Sequence, residues 1–402
     1  MALVDIEVGL SEQETAIRDT VHKFAEEVMR PAGAELDRLT DPAQVHAPGS
    51  VLWDVFKKHR QLGIDDLDSA DSELGPVERA RIRAIINEEL GWGDSGLGIS
   101  LGVAGMHRVF SQMSGRPELI ERYCQPGSED IGCWAITEPD HGSDSLAFSE
   151  SHFPDPAVKA NCIARRDGDE YVIRGQKAAW VSNGTIATVA ALFCTIEPSE
   201  GFKGGGVAIV PLDLPGVSRG KALDKLGQRA LDQGEIFFDD VRIPADYMVI
   251  GKDAYGFVLE TVLTMANAFM GTTFVGVARA ALEHAIAYAK ERVQGGAPII
   301  QHQSVKGRLF KMFAQVEAAR SLARRVVIYN GTHPPGLVHY SIASKTFCTN
   351  TAFEVASTAL QIYGGNGLSR EYPIEKILRD ARASLIEDGC NEVLSLVGAA
   401  RL

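Results

Sequence analysis

The spacing of the apolar residues changes twice along this chain of 402 residues, and that double change limits its fold more than any other feature. Up to about residue 128 they recur every three or four positions. Ile17, Val21, Phe24 and Val28 mark one helical face. Ser11 and Glu14 open it with the spacing of a capping box, and Leu10 stands in front as a staple residue. Pro31 is expected to end that run, and further helical periods cover 50–63 and 76–125. From about residue 130 the pattern breaks into short β-rich runs, CWAIT, EYVIRG, AALFCTI, GVAIVPL and EIFFDDVRI, parted by Gly, Asp, Pro and Asn. They predict an antiparallel sheet that closes at Pro244. From about residue 256 the helical period returns in FVLETVLTMANAFMGTTFVGVARAALEHAIAYAKER, apolar on more than one face and suited to the inside of a bundle or a subunit interface. Segments 301–330, 336–361 and 373–402 continue it. The expected architecture is mainly α with a central antiparallel β domain: helical over 1–128, β over 129–245, and a helical bundle over 246–402.

The apolar content of 45% is enough for a large core. A net charge of −13 disfavours partners such as nucleic acid or an anionic membrane surface. It also means that an anionic ligand needs local basic groups or backbone amides. Cys124, Cys133, Cys162, Cys194, Cys348 and Cys390 show no metal-ligand spacing, so free thiols in a reducing cytoplasm are expected and no metal. The N-terminal residues carry no basic-then-apolar leader pattern, and no uninterrupted apolar run approaches a membrane span.

Three glycine-containing motifs suggest chemistry without its context. Gly216 to Gly220 matches the G-x-S-x-G nucleophile elbow, but Leu214-Pro215 leads into it as a turn. The stretch from Gly96 to Gly105 lies in a helical region rather than after a strand, so small residues for close helix packing explain it better than a dinucleotide loop. Gly204-Gly205-Gly206 reads as a flexible hairpin tip.

Four other segments matter as an ordered set. The first runs from Trp134 through Ile136, Thr137, Glu138 and Pro139 to Gly142, Ser143 and Asp144. The second runs from Gly175 and Lys177 to Trp180, Ser182 and Asn183. The third is Arg292 with Gln303. The fourth is Gln361 to Gly367, containing Gly364 and Gly365, followed by Arg379-Asp380-Ala381 and by Glu387-Asp388-Gly389. Between the second and third stand Leu226-Gly227-Gln228-Arg229 and Phe238 to Pro244. In this order the chain resembles the acyl-CoA dehydrogenase family over essentially its full length.

That resemblance implies α,β-dehydrogenation of an acyl-CoA thioester with FAD as cofactor, an electron-transferring flavoprotein as acceptor, and a homotetramer. It places Thr137 at the pyrimidine side of the flavin and Ser182 near N5, where donors favour the reduced anion. Ile136 belongs to the same binding segment, and Trp134 and Trp180 would wall the ring system. Arg292, Gln303, Gln361, Gly364 and Gly365 would reach the FAD of a neighbouring subunit, the glycine amides suiting a pyrophosphate. Ser143 would contact the coenzyme A arm.

The reaction needs a carboxylate basic enough to take a weakly acidic Cα proton. The family has Glu before Gly at the tenth position of the stretch that starts R-D-A; counted from Arg379 that position is Asp388, followed by Gly389 as a further substrate-binding residue, and the resemblance implies that the Asp388 N–H and a ribityl hydroxyl of FAD would meet the thioester oxygen. Glu387 should point elsewhere. The bland role for Asp388 is a helix cap. Further departures are one extra residue between Lys177 and Trp180, Gly295 in place of Phe, Asn267 near an Arg position, and Cys390 where a Thr contacts FAD phosphate. An Asp base also keeps open a flavin oxidase on the same fold, of the nitroalkane-oxidase or acyl-CoA oxidase kind; a flavin-binding homologue without turnover is the other alternative. A branched or cyclic acyl group is preferred to a straight chain, because Asp reaches less far than Glu.

Overall fold

A computed structural model describes residues 5–64, 67 and 74–402, so the first four residues of the N-terminal segment lie outside the described residues. Helix α1 spans Glu12–Phe24, and its capping box is made in both directions: Ser11 N–H donates to Glu14 Oε2 at 2.8 Å, and Glu14 N–H to Ser11 Oγ at 3.2 Å. Pro31 does not end the run. The backbone widens into a π turn over Ala25–Met29, where Arg30 N–H reaches Ala25 O. Pro31 then falls in the first turn of α2 (Arg30–Asp37), where a missing N–H is least felt. Helices α3 (Val51–Leu62), α4 (Pro76–Gly93), α5 (Ser95–Val103), α6 (Met106–Ser114) and α7 (Pro117–Tyr123) complete the first block.

The sheet is mixed rather than antiparallel. Its strands are β1 (Gly132–Ala135), β2 (Ile163–Asp167), β3 (Glu170–Ser182), β4 (Val189–Thr195), β5 (Gly205–Pro211), β6 (Val217–Arg219), β7 (Gln233–Pro244) and β8 (Met248–Ile250). They run in the order β6-β7-β3-β2-β4-β5-β8, with β1 beside β4. Both β1 and β2 pair parallel to β4, from Gly132 opposite Val189 and at Ile163 opposite Thr195; the other ladders are antiparallel. Every position of β4 is buried, which accounts for its unbroken apolar run. In the apparent elbow, Gly216 takes a left-handed φ of 89° and Ser218 lies in β6 opposite Phe237, with no helix after it. Gly204 to Gly206 is not a flexible tip: a Cβ on Gly204 would stand 1.9 Å from Glu197 O, and one on Gly205 2.5 Å from the Tyr255 ring.

The last block holds α8 (Lys252–Glu291), a small hairpin of β9 (Val293–Gln294) and β10 (Ala297–Pro298), α9 (Gln303–Thr332), α10 (Val338–Tyr363), α11 (Ile374–Ala383) and α12 (Asn391–Ala399). By length and composition α8 could cross a membrane, yet 78% of its most apolar stretch is buried within the protein, against α4, α9 and α10. Two glycines set the α4–α8 distance. A Cβ on Gly276 would lie 2.0 Å from Glu88 O, and one on Gly91 1.9 Å from Thr273 O. Around that crossing a buried ionic cluster joins three helices. Glu88 meets Arg279 at 2.7 Å, Arg320 at 2.9 Å and Arg324 at 3.0 Å, and these guanidinium groups hold its carboxyl far below the usual range against the opposing effect of burial.

Candidate active site

Thr137 leaves the end of β1, and its carbonyl accepts the Ala178 N–H of β3 at 3.0 Å, so the first two sequence segments lie side by side. A buried ion pair fixes the loop that follows. Lys177 Nζ donates to Glu138 Oε1 at 2.6 Å and to the Ile136 carbonyl at 3.0 Å. Glu138 also accepts the N–H groups of Asn161 and Cys162, at 2.5 and 3.0 Å. The extra residue before Trp180 is absorbed by a bulge, in which Ala179 takes φ 57° and the β3–β7 register shifts between Lys177 and Val181. Past the bulge Trp180 is 58% exposed, an uncovered indole on the same side of the strand as half-buried Ser182. Trp134 differs: its ring is buried 6.2 Å from that of Phe193, and its indole N–H has no hydrogen-bond partner among the described residues. An uncovered aromatic face beside a hydroxyl suits a planar polar cofactor.

The candidate base stands in the turn between α11 and α12. Asp388 has a left-handed φ of 53° and Gly389 one of 92°. Asp388 caps nothing, because the residue before α12 is Cys390. Cys390 N–H donates to Ser143 Oγ at 2.9 Å, tying this turn to the Thr137 loop. From below, the fully buried Lys345 donates to Gly389 O and Asn391 Oδ1, each at 2.8 Å. Burial pushes the Asp388 carboxyl up to about 6, and the Lys345 charge holds it from rising further. Lys345 is itself pushed down to about 8 by burial, with Asp388 and Glu387 acting the other way. Glu387 turns away, its Oε1 accepting from Gln228 Nε2 at 2.6 Å. Burial and then the Asp388 charge push it up to about 8. The two carboxyls repel each other, so they titrate as a coupled pair in which both are raised.

Three profiles cover nearly all of the chain: the N-terminal domain of acyl-CoA dehydrogenase over residues 11–127, its middle domain over 133–241 and its C-terminal domain over 256–402. The chain belongs to the acyl-CoA dehydrogenase family. It is 30% identical to the short-chain specific acyl-CoA dehydrogenase of Rattus norvegicus mitochondria, over 98% of this chain and 91% of that protein. It is also 30% identical to the cyclohex-1-ene-1-carbonyl-CoA dehydrogenase of Syntrophus aciditrophicus, over 96% and 89% of the two chains. Among solved structures, butyryl-CoA dehydrogenase from Megasphaera elsdenii superposes with a TM-score of 0.85 at 26% identity, covering 98% of this chain and 99% of that one.

In this acyl-CoA dehydrogenase the remaining sequence candidates gather elsewhere. Arg292 follows α8, Gln303 begins α9, Gln361 lies in the last turn of α10, and Gly364 and Gly365 follow it; all five are exposed. Tyr288 and Tyr363 stack at 4.0 Å and bring these helix ends together, and Asn366 Nδ2 donates to the Tyr288 and Tyr372 hydroxyls at 3.0 and 3.1 Å. No hydrogen bond among the described residues joins this set to Thr137, Ser182 or Asp388. Gly295 has a local reason: with Gly296 it forms the tip of the β9–β10 hairpin at φ 61° and 81°, a turn that Phe would strain. Asn267 is fully buried, with Nδ2 on Leu263 O at 2.9 Å and Oδ1 unpaired among the described residues. Sequence reading missed Lys345, Lys225 and Gln233. For Gln228 a signal existed, since it lies in the L-G-Q-R segment, where a Cβ on Gly227 would be 2.3 Å from Arg379 O.

Proposed function

We propose that this chain oxidises the Cα–Cβ bond of an acyl-CoA thioester, with Asp388 taking the Cα proton. The observation that carries the reading is the Asp388 turn, held by Ser143 and Lys345, with a carboxyl raised to about 6. Such a group is ionised at neutral pH and more basic than a surface carboxylate. FAD, when bound, supplies the hydride acceptor. Thr137, Trp180 and Ser182 are the residues that would hold its ring, and the backbone N–H of Asp388, beside Gly389, would donate to the thioester oxygen. Arg292, Gln303, Gln361, Gly364 and Gly365 would complete the cofactor site of a second copy within a homotetramer, and Ser143 would add a hydroxyl to the coenzyme A path. An electron-transferring flavoprotein in the cytoplasm is the acceptor this reading expects.

For the acyl group the reading is branched or cyclic. The side chain of Asp388 is one bond shorter than that of Glu, and a misplacement of about 1 Å can cost on the order of 100-fold in rate. The similarity to a cyclohexene-carbonyl-CoA dehydrogenase agrees with that choice. An anaerobic panel of straight, branched and cyclic acyl-CoA thioesters tests it through loss of flavin absorbance. At least one branched or cyclic member should bleach the flavin faster than butyryl-CoA, and Asp388→Asn should retain FAD yet fail to bleach. Wild-type bleaching by Asp388→Asn would place the base elsewhere.

A further inference from the structure

Ser182 has a neighbour that determines how its hydroxyl can act. Gln233, the first residue of β7, faces Ser182 across the β3–β7 ladder and is buried. Its Nε2 lies 3.2 Å from Ser182 Oγ and 3.5 Å from the Trp180 carbonyl oxygen. Its Oε1 lies 2.9 Å from Lys225 Nζ, which also donates to the Leu231 carbonyl at 2.6 Å. A glutamine amide has nearly the same shape either way round, so only its partners decide which end is oxygen. An ammonium can only donate, so the amide oxygen must face Lys225. A carbonyl can only accept, so the amide NH₂ must face Trp180 O. Both constraints choose the same orientation, which makes Gln233 the donor to Ser182. Burial pushes Lys225 down to about 8, opposed by the charges of Glu387, Asp232 and Asp380, so the ammonium still prevails at neutral pH. Ser182 Oγ thus accepts from Gln233, and its one proton is left to point away from β7, toward the side on which Trp180 is uncovered.

We propose that Gln233, oriented by Lys225, is a positioning residue that makes the Ser182 hydroxyl a hydrogen-bond donor toward the flavin edge. The proposal rests on the reading of Ser182 as a flavin contact. Without Gln233 the Ser182 hydroxyl can turn back and donate within the protein. With Gln233 in place the donor is set before the cofactor arrives, and no reorganisation is needed when negative charge develops on the ring.

The test uses FAD-loaded protein and two readings that need no turnover, the flavin midpoint potential and the visible absorption band. Ser182→Ala should make flavin reduction about tenfold less favourable, about 30 mV for a two-electron couple. Gln233→Glu places an acceptor opposite Ser182, draws its proton inward, and should reproduce most of that fall. Gln233→Met removes the donor without adding charge; it should shift the potential the same way by a smaller amount, and it serves if the acidic variant does not fold. In a Ser182→Ala background both Gln233 changes should move the potential by less than half as much. Equal shifts in the two backgrounds, or no shift from either Gln233 variant, would overturn the proposal and leave the flavin contact standing. A Ser182→Ala protein with wild-type potential and spectrum would remove the flavin contact itself, and the proposal with it.

Discussion

Asp388 is held in a conformation that its own stability opposes, and the proposed chemistry would make use of it. Its φ of 53° is strained for a residue with a Cβ, and its ionised form is disfavoured by burial. Because its folded value is raised above the unfolded one, the folded state binds the extra proton. The group therefore loses stability as pH rises through about 6, a loss on the order of 1–3 kcal/mol at neutral pH. Asp388→Asn should accordingly raise Tm at pH 7.5 by a few degrees while abolishing flavin reduction, and the gain should shrink as pH falls from about 6 toward the unfolded value of 3.8. A melt that shows no gain at pH 7.5 would contradict the desolvation account. Lys345 sets the opposite constraint. Its cation lowers Asp388, so Lys345→Met should shift the pH at which flavin reduction reaches half its plateau from about 6 to a higher value, with Lys345→Arg restoring part of the shift. An unchanged profile would leave Lys345 a purely structural anchor. Asp388 could be picked out as a candidate in the sequence through its distance from Arg379. Lys345 could not be, because it stands 44 residues before Gly389 on a helix with many other polar residues, and only folding brings its ammonium under Gly389. Ser143 could be named as a candidate from its motif, but its bond to Cys390 crosses 247 residues and no spacing announces it.

At the scale of elements, long periodic runs were readable and pairings were not. The α8 pattern, apolar on more than one face, is a helix enclosed by α4, α9 and α10. Strands β2, β6 and β8 escaped notice because they are short and carry little apolar alternation. The parallel pairing of β1 with β4 escaped because strand periodicity reports which face is buried and carries nothing about direction. Helix contacts leave a trace only where a side chain cannot fit. Gly276→Ala should force α8 off α4 at the position that seats Glu88 against Arg279, destabilising by about 1–3 kcal/mol. Gly256→Ala, on the same helix with open space around its Cβ, should be neutral or stabilising by about 0.5–1 kcal/mol, since glycine is a poor helix former. Urea melts of the two variants decide the matter: equal midpoints would mean that the close crossing relaxes at no cost.

On the proposed reading the cofactor site is divided between two parts of the surface. Thr137, Ser182 and Asp388 would belong to one, and Arg292, Gln303, Gln361, Gly364 and Gly365, all exposed, to the other. Helices α9 and α10 also leave aromatic side chains uncovered, with Phe310 71% and Phe347 44% exposed, as expected of a surface that meets another copy. If one copy supplies the second half-site to its neighbour, cofactor retention and assembly are linked, and FAD stabilises the oligomer by mass action. Gly365 separates this from folding. Nothing lies within 4 Å of a Cβ built there, and its φ is not left-handed, so a larger residue is accommodated in the isolated chain. Gly365→Val should therefore keep the far-UV spectrum and fold of the wild type, yet lose FAD on dilution at concentrations where the wild type holds one per chain. Arg292→Ala, which removes an exposed charge at the same surface, should do likewise. Sedimentation velocity with detection at the flavin band reads both quantities at once, and expects flavin only in the assembled species. A monomer that carries a full complement of FAD, in either variant or in the wild type, would show that each chain closes its own cofactor site.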